Sequence, residues 1–313
     1  MVETLRLLRE NARFVILTHI RPDGDTLGSA AALCLGLRSL GKEAWVLENP
    51  QLTPKYAFLL ENLTCAAVPE GALVVSVDVS GDNRKTGNAP IDLCIDHHGV
   101  HEVTAGHTLN RPECAACGEI IFEILDRLDV ALTREMALAL YVAISTDTGC
   151  FRHSNVTANT FRVAAGLLGT GLQVSWVNHA LFGVRRLARL RLEAELTRTM
   201  QLFGSIGICT VPYALMEELG LIEDDFDDLS GFARTVEGVR LAVMLRQQAD
   251  GSVRVSLRSE RPIDSAAICK LLGGGGHVCA AGCTLRGDLE SAQASVIEAI
   301  QQKEPELFSC QTE

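Results

Sequence analysis

Short apolar runs alternate with longer helical patterns along the first half of the chain. Four runs rich in Val, Ile, Leu and Phe are expected to be strands, at residues 14–17, 43–47, 72–77 and 91–95. Apolar positions at helical spacing predict helices around them, at residues 4–11, 26–40, 117–128 and 134–144. This alternation is typical of βαβ units, so the pattern predicts an α/β fold with a parallel sheet.

The pattern changes after about residue 200, which predicts a second domain. Strands are expected at 206–211, 241–246 and 252–257, and a helix at 265–272 leads into the glycine run Gly273–Gly276. A charged helical segment, residues 187–200, precedes them and is interpreted as the connection between domains. We therefore expect a first domain at 1–190, a helical linker at 191–200 and a smaller α/β domain at 201–313.

Composition narrows the classes of partner. The net charge is −11, from 28 Lys and Arg against 39 Asp and Glu. This argues against long duplex nucleic acid as a partner, because such binding uses many contacts from Lys and Arg to phosphate. The chain contains neither an apolar run of about 18–20 residues nor a signal-peptide pattern, so we expect no membrane association and a cytoplasmic location. The 11 cysteines are expected to be reduced thiols.

Polar residues gather where the predicted strands end. His19, Asp23 and Asp25 follow the first strand, and Asp78 follows the third. The fourth strand leads into Asp96-His97-His98, and Asp147 lies in a polar segment, 145–155, expected to be a loop. Ligands of open α/β sheets bind at this edge, and crowded carboxylates repel one another unless a cation lies between them. The set therefore predicts two divalent ions of the Mn²⁺ or Mg²⁺ kind.

These polar residues carry a resemblance to a known family. They resemble, in order, the four motifs of the DHH phosphoesterase superfamily: His19-x3-Asp23-Gly24-Asp25-x2-Gly28-Ser29, Asp78, Asp96-His97-His98 and Asp147-Thr148-Gly149. The run from Gly273 through His277 to Gly282 resembles the signature of its partner, the DHHA1 domain. The compact length is similar to the branch of nano-RNases and pAp phosphatases, the NrnA-like branch.

The resemblance implies a role for each matched residue. One metal would be held by His19, Asp23 and Asp78, and the other by Asp25, Asp78, His97 and Asp147, so that Asp78 bridges the two. The metals would be Mn²⁺, with Mg²⁺ or Co²⁺ as alternatives. Asp96 would orient the histidine pair, and His98 would face the substrate phosphate. In a cleft between the domains, the resemblance implies phosphate binding by Arg258 and His277. The glycine run leaves backbone N–H groups free to approach an anion, so Gly274, Gly275 and Gly276 are expected to bind the same phosphate.

The function expected from this resemblance is metal-dependent phosphoester hydrolysis by an activated water. The expected substrates are short RNA oligonucleotides, cleaved to mononucleotides, and small phosphorylated nucleotides such as 3′-phosphoadenosine 5′-phosphate (pAp). Alternatives are a phosphodiesterase for cyclic dinucleotides or pApA, and a nucleotide-binding sensor without catalysis. An inorganic pyrophosphatase fits less well because of the glycine run before His277. A homodimer is an open expectation.

The remaining polar residues leave alternatives open. Arg152 and His153 follow the fourth motif and could either line the cleft or lie on a surface loop. Three further histidines have no supporting context and are expected to be ordinary surface or core residues: His101, His107 and His179.

Overall fold

The computed structural model describes residues 1–309 and divides the chain into two units, with the boundary between Val184 and Arg185. The boundary lies a few residues before the expected position at 190. Within the described range, no helix has the length and apolar character that a membrane crossing requires.

The first unit is built on a six-stranded sheet in which every neighbouring pair is parallel. Its strands are β1 (Arg13–Leu17), β2 (Glu43–Leu47), β3 (Thr64–Cys65), β4 (Leu73–Val77), β5 (Ile91–Asp96) and β6 (Ala105–Asn110). The four predicted strands are confirmed, and β3 and β6 are added at the two edges. The α/β prediction with a parallel sheet is therefore correct.

The strand order places two loops side by side. The order is β3-β2-β1-β4-β5-β6, so that the chain proceeds outward from β1 in one direction and then from β4 in the other. At such a switch point the loops that follow the two central strands diverge and leave a crevice, where ligands of open α/β sheets bind. The segments after β1 and β4 are those that carry His19 and Asp78.

Helices cover one face of this sheet. They are α1 (Val2–Glu10), α2 (Gly24–Ser39), α3 (Cys117–Arg127), α4 (Arg134–Asp147), α5 (Ala158–Leu168) and α6 (Val174–Asn178), with a π-helical turn at His179–Gly183. Because side chains alternate along a strand, Phe14 and Ile16 enter the large core beneath α2, α3 and α4, while Val15 and Leu17 enter a smaller cluster on the other face. Asp147 is the last residue of α4, so the prediction that it lies in a loop is wrong.

Helices α2 and α4 approach each other closely at two glycines of α2. A Cβ atom built at Gly28 would lie 2.3 Å from the carbonyl oxygen of Ala139. At Gly24, it would lie 2.4 Å from Thr146 Oγ1. Glycine at these two positions therefore lets α2, which carries Asp25 in its first turn, lie against α4, which ends at Asp147.

The second unit contains a mixed six-stranded sheet in the order β11-β12-β10-β9-β8-β7, in which only β8 and β9 are parallel. Its strands are β7 (Gln201–Phe203), β8 (Ile206–Val211), β9 (Leu241–Gln247), β10 (Val253–Ser259), β11 (Gly275–His277) and β12 (Ala280–Leu285). Its helices are α7 (Leu187–Thr199), α8 (Tyr213–Leu219), α9 (Ser265–Leu271) and α10 (Leu289–Lys303). The expected strands near 206, 241 and 252 and the helix near 265 are confirmed.

Helix α7 differs from the expected linker at 191–200. Leu192 and Leu196 are fully buried in a core cluster of the second unit. The guanidinium of Arg189, itself buried, donates to the carbonyl oxygens of Asp225 and Asp227 at 2.7 and 2.6 Å. A segment that buries leucines and an arginine in one unit is part of that unit rather than a free connection.

Candidate metal centre

His19 is held at the end of β1 by a small polar network. Asn49 Nδ2 donates to the carbonyl oxygen of His19 at 2.9 Å and to Thr18 Oγ1 at 3.0 Å. The ring atom Nδ1 lies 2.8 Å from the carbonyl oxygen of Ile20, which can only accept, so Nδ1 carries the hydrogen. Nε2 then faces the crevice, 3.5 Å from Asp23 Oδ1 and 3.6 Å from Asp78 Oδ2.

Asp23 and Asp25 are positioned by helix ends. Asp23 is the N-cap of α2, and its Oδ1 accepts from the backbone N–H of Asp25 at 3.0 Å and of Thr26 at 3.2 Å. Asp25 is buried, and its two oxygens accept from the first N–H groups of α3, at Cys117 (2.7 Å) and Gly118 (3.0 Å). Free N–H groups at a helix N-terminus favour a negative charge, so α3 holds this carboxylate in place.

Asp78 lies at the centre of the crevice in an uncommon backbone conformation. Its φ angle is +58°, in the left-handed region that non-glycine residues rarely adopt, and its N–H donates to the carbonyl oxygen of Ile95 at 2.9 Å. The side chain is buried, and within residues 1–309 its Oδ1 has no hydrogen-bond partner. Backbone strain of this kind is found at functional sites, where the benefit of placing the side chain there offsets the energetic cost of the strained backbone.

His97 and Asp147 complete the group. His97 Nδ1 lies 3.2 Å from the carbonyl oxygen of Cys114, so Nδ1 is again the donor and Nε2 faces inward. Nε2 lies 3.4 Å from Asp78 Oδ1, 3.5 Å from Asp25 Oδ2 and 3.7 Å from Asp147 Oδ2. The structure therefore brings all six predicted metal ligands together.

The ligand atoms form two adjoining clusters that suit divalent cations. One cluster is His19, Asp23 and Asp78, and the other is Asp25, His97 and Asp147; within each cluster the ligand atoms lie within 4.8 Å of one another. Asp78 joins the clusters, because its Oδ2 faces His19 and its Oδ1 faces His97. The buried, unpartnered Oδ1 and the carboxylate and imidazole donors fit a pair of ions that share one carboxylate.

Burial and mutual charge shift the pKa values of the side chains in the two clusters. Burial and the nearby charge of Asp78 raise the pKa of Asp25, and burial raises the pKa of Asp147 to about 7. Burial also opposes protonation of His19 and His97. At His19, hydrogen bonds to Asp23 and Asp78 and the negative charge of these carboxylates outweigh the effect of burial and raise the pKa to about 11. At His97, the hydrogen bond to Asp78 and the charges of Asp25 and Asp78 also raise the pKa to about 11.

Binding of a divalent cation is therefore expected to release protons. A neutral pH is well below the raised pKa values of the two imidazoles, so both carry a proton at Nε2. A cation that binds there must displace these protons. We expect affinity for Mn²⁺ to increase with pH. Calorimetric titration of the metal-stripped protein in buffers of different ionisation enthalpy measures the protons released. Heats that are the same in every buffer would contradict the expectation.

Asp96 lies behind this site and accepts hydrogen bonds from two histidines. It is fully buried; its Oδ1 accepts from His98 Nδ1 at 2.8 Å and its Oδ2 from His101 Nδ1 at 2.7 Å. Burial acts to raise the pKa of Asp96, but the hydrogen bond and charge of His98, together with the hydrogen bond from His101, hold it below the usual value. His101, expected to be an ordinary surface or core histidine, thus contacts a residue of the DHH triplet, and its position five residues after Asp96 is the sequence signal that could have indicated this contact.

The other flagged residues lie outside the two clusters. Arg152 and His153 follow Asp147 in a turn, where Arg152 Nε donates to the carbonyl oxygen of Gly149 at 2.7 Å and His153 Nδ1 lies 3.4 Å from that of Asp147. His107 lies on the edge strand β6, and His179 begins the π-helical turn.

In the second unit, strand register aligns two predicted phosphate ligands. Arg258 on β10 pairs with Ala280 on β12, and Ala280 pairs with His277 on β11. Directly opposed residues of antiparallel strands point to the same face, so Arg258 and His277 share a face with the small Ala280 between them. The Arg258 side chain is half-buried, and desolvation lowers its pKa.

The glycine run is more ordered than a loop. The N–H of Gly273 donates to the carbonyl oxygen of Lys270 at 3.2 Å, and that of Gly274 to Cys269 at 2.8 Å. The amides of Gly273 and Gly274 are therefore bonded within the chain rather than free for an anion, and phosphate binding at Gly275 and Gly276 stays a prediction. Gly276 has a φ angle of +143°, and a Cβ atom there would lie 2.6 Å from the carbonyl oxygen of Ala280, so this hairpin edge requires glycine.

Comparison with known proteins identifies the family. The model of the DHH family, N-terminal domain, matches residues 13–144, and that of the DHHA1 domain matches residues 211–303. The chain is 37% identical over 318 aligned positions to the bifunctional oligoribonuclease and PAP phosphatase NrnA of Thermus thermophilus, covering 96% of this chain and 94% of the relative. The chain therefore belongs to the DHH–DHHA1 phosphoesterase superfamily and, within it, to the NrnA family.

Solved structures share the fold. An exopolyphosphatase-related protein from Bacteroides fragilis superposes with a TM-score of 0.85 at 21% identity, covering 98% of this chain and 97% of the other. RecJ from Thermus thermophilus, in complex with Mn²⁺, superposes with a TM-score of 0.55 at 16% identity, covering 96% of this chain and 54% of RecJ. These likenesses extend over both units of the chain.

Proposed function

We propose that the protein is a divalent-metal-dependent phosphoesterase that hydrolyses short oligoribonucleotides to mononucleotides and removes a phosphate from pAp. The observation that carries the proposal is the buried carboxylate of Asp78, which joins two clusters of imidazole and carboxylate ligands. The name of the Thermus relative, a bifunctional oligoribonuclease and PAP phosphatase, supports the choice of substrates.

The two clusters would hold the cations, and the rest of the site would serve the substrate. When bound, the cations supply charge neutralisation at the phosphoryl group and make water more acidic. Mn²⁺ is the ion that we propose, with Mg²⁺ or Co²⁺ as alternatives, because the site mixes imidazole with carboxylate and because Mn²⁺ is bound in the RecJ structure. No serine or cysteine nucleophile is required.

We propose that His98 binds the phosphate directly. Its Nδ1 is committed to Asp96, which leaves Nε2 for the substrate. Burial opposes protonation of His98, but the hydrogen bond and charge of Asp96 raise its pKa, which favours an imidazolium. A proton at Nε2 can then be donated to a phosphate oxygen, while Asp96 keeps the ring in a fixed orientation.

In the second unit, we propose that Arg258 and His277 bind a phosphate of the substrate, together with the neighbouring backbone of Gly275 and Gly276. Their shared face of the sheet supports this assignment. Arginine can donate hydrogen bonds to phosphate through two N–H groups at once, which fixes the orientation of the phosphate as well as neutralising its charge.

The ten free thiols among residues 1–309 support a proposed location in the reducing cytoplasm.

A turnover assay tests the proposed function. Metal-stripped protein, supplied with Mn²⁺, is offered pAp, pApA, cyclic di-AMP and RNAs from dinucleotides to long oligonucleotides. We expect release of phosphate from pAp and of mononucleotides from the shortest RNAs, with little hydrolysis of long ones. Turnover confined to pApA or the cyclic dinucleotide would favour the alternative phosphodiesterase. Binding without turnover, under any divalent cation, would favour a sensor.

The same assay with Arg258→Gln tests the role of the second unit. Loss of a charge-assisted hydrogen bond to phosphate is expected to raise KM about tenfold or more, with a smaller effect on kcat. Arg254→Gln, on the same strand and the same face, is the control and is expected to leave KM unchanged. Equal kinetics for the two variants would remove Arg258 from the substrate site.

A further inference from the structure

We infer that His101 is a positioning residue that holds the Asp96 carboxylate in the orientation from which it directs His98 toward the substrate. This inference rests on the proposed function, because it assigns His98 to the substrate phosphate. His101 belongs neither to the DHH triplet nor to the six predicted metal ligands.

The carboxylate of Asp96 divides its two oxygens between different neighbours. Its Oδ1 accepts from His98 Nδ1 and from the backbone N–H of His97, both at 2.8 Å. Its Oδ2 accepts from His101 Nδ1 at 2.7 Å. Because Asp96 is fully buried, water cannot replace a lost donor at Oδ2, and the carboxylate would rotate or shift to find another. A rotation of this group changes the angle at which it holds His98.

Packing alone does not account for an imidazole at position 101, because its other nitrogen makes no hydrogen bond to the described residues. Its Nε2 is buried and has no hydrogen-bond partner within residues 1–309. An unpartnered buried nitrogen is destabilising, and an apolar side chain would fill the same space without it. The hydrogen bond from Nδ1 to Asp96 is the feature that requires a nitrogen at this position.

The backbone around His101 is fixed independently of the side chain. It lies in the segment between β5 and β6, and the N–H of the next residue, Glu102, donates to the carbonyl oxygen of Ser80 at 2.8 Å. Glu102 also forms an isolated parallel bridge with Gly81. His101 is therefore presented to Asp96 from a segment anchored beside the loop that carries Asp78, as a preorganised support requires.

Two substitutions separate this role from simple packing. His101→Leu fills the space without a donor, whereas His101→Asn places an amide N–H near the position of Nδ1. In the Mn²⁺-loaded enzyme we expect His101→Leu to lower kcat about 10–100-fold with a smaller change in KM, as for other groups that orient site residues. His101→Asn is expected to restore most of kcat. His107→Leu is the control and should keep the parent kcat; it also removes an imidazole whose buried Nε2 has no hydrogen-bond partner within residues 1–309.

A spectroscopic measurement keeps the inference independent of the substrate. In Mg²⁺-loaded protein, the ¹⁵N signals of the His98 ring report its hydrogen bond to Asp96. We expect them to shift in His101→Leu, but not in His101→Asn or His107→Leu. Unchanged signals and kcat in a folded His101→Leu variant would overturn the inference, as would equal losses in the leucine and asparagine variants. Absence of turnover in the parent protein, with the spectral shift still present, would instead contradict the proposed function.

Discussion

Replacing Asp78 by asparagine is expected to abolish hydrolysis and to weaken cation binding at both clusters at once. The substitution keeps the shape of the side chain but removes the charge that faces His19 through Oδ2 and His97 through Oδ1. Loss of a residue that only orients a metal ligand typically costs 10–100-fold, so loss of the shared carboxylate should exceed about 100-fold in kcat. Turnover of pAp and calorimetric titration with Mn²⁺ measure the two effects.

The control for this substitution is Asp126→Asn, which changes an exposed carboxylate on α3 of the same unit. It is expected to leave both activity and the number of bound cations unchanged. If Asp78→Asn lost only one class of cation and kept substantial turnover, Asp78 would belong to a single cluster. The division of its two oxygens between the clusters would then have no functional meaning.

Replacing Gly28 by alanine is expected to destabilise the first unit and to impair catalysis although residue 28 is no ligand. The added Cβ would lie 2.3 Å from the carbonyl oxygen of Ala139, so α2 and α4 must separate. Overpacking of this kind costs about 1–3 kcal/mol, partly offset by the better helix propensity of alanine. Because α2 begins beside Asp25 and α4 ends at Asp147, a separation near 1 Å should lower kcat about 100-fold. Denaturant unfolding and the pAp assay measure the two effects.

Gly36→Ala is the matched control on the same helix. The atom that a Cβ would meet there is Leu125 Cδ2, at 2.2 Å, which is the tip of a side chain that can change rotamer. We expect a much smaller loss of stability and near-parent activity, because the site lies at the other end of the helix. Equal behaviour of the two variants would show that contact with the Ala139 backbone does not set the separation of the helices.

The apolar pattern predicted the central strands because they are buried. Strands β1 and β4 are nearly continuous apolar runs, and β5 is apolar apart from its two aspartates, since both faces of the sheet are largely covered there. The edge strand β6 contains His, Thr and Asn and is mostly half-exposed, so no apolar run marks it. In the second unit, β11 consists of two glycines and a histidine, and its pairing with β12 depends on close backbone approach, which no hydrophobic pattern records.

One missed element did leave a signal in the sequence. Helix α10 buries Ala292, Val296, Ala299 and Ile300, which recur at helical spacing. Asp288 caps its first turn by accepting from the N–H of Ser291 at 2.8 Å.

The end of α4 is a different case. The polar residues from Ser145 to Asp147 indicated a loop, but the helix continues through them, because their side chains bond back to helix carbonyls or face the crevice.

The residues of the candidate site could be predicted from the sequence, but the residues that hold them in place could not. His19, Asp78 and the DHH triplet lie at strand ends, and parallel strands bring such ends to one edge. Asn49, which fixes His19, and the α3 N-terminus, which fixes Asp25, make their contacts through tertiary packing across long sequence separations. His101 is near in sequence, but its direction depends on the turn between β5 and β6, which the local pattern does not specify.

The order of the ligands along the chain has a consequence for biosynthesis. The cluster ligands extend from His19, just after the first strand, to Asp147, at the end of the fourth helix. During translation neither the crevice nor its high density of negative charge can be complete until α4 has left the ribosome and packed on α2. Assembly of the cluster of Asp25, His97 and Asp147 thus comes late in the folding of the first unit, and a chain truncated before Asp147 would lack one of its proposed cation ligands.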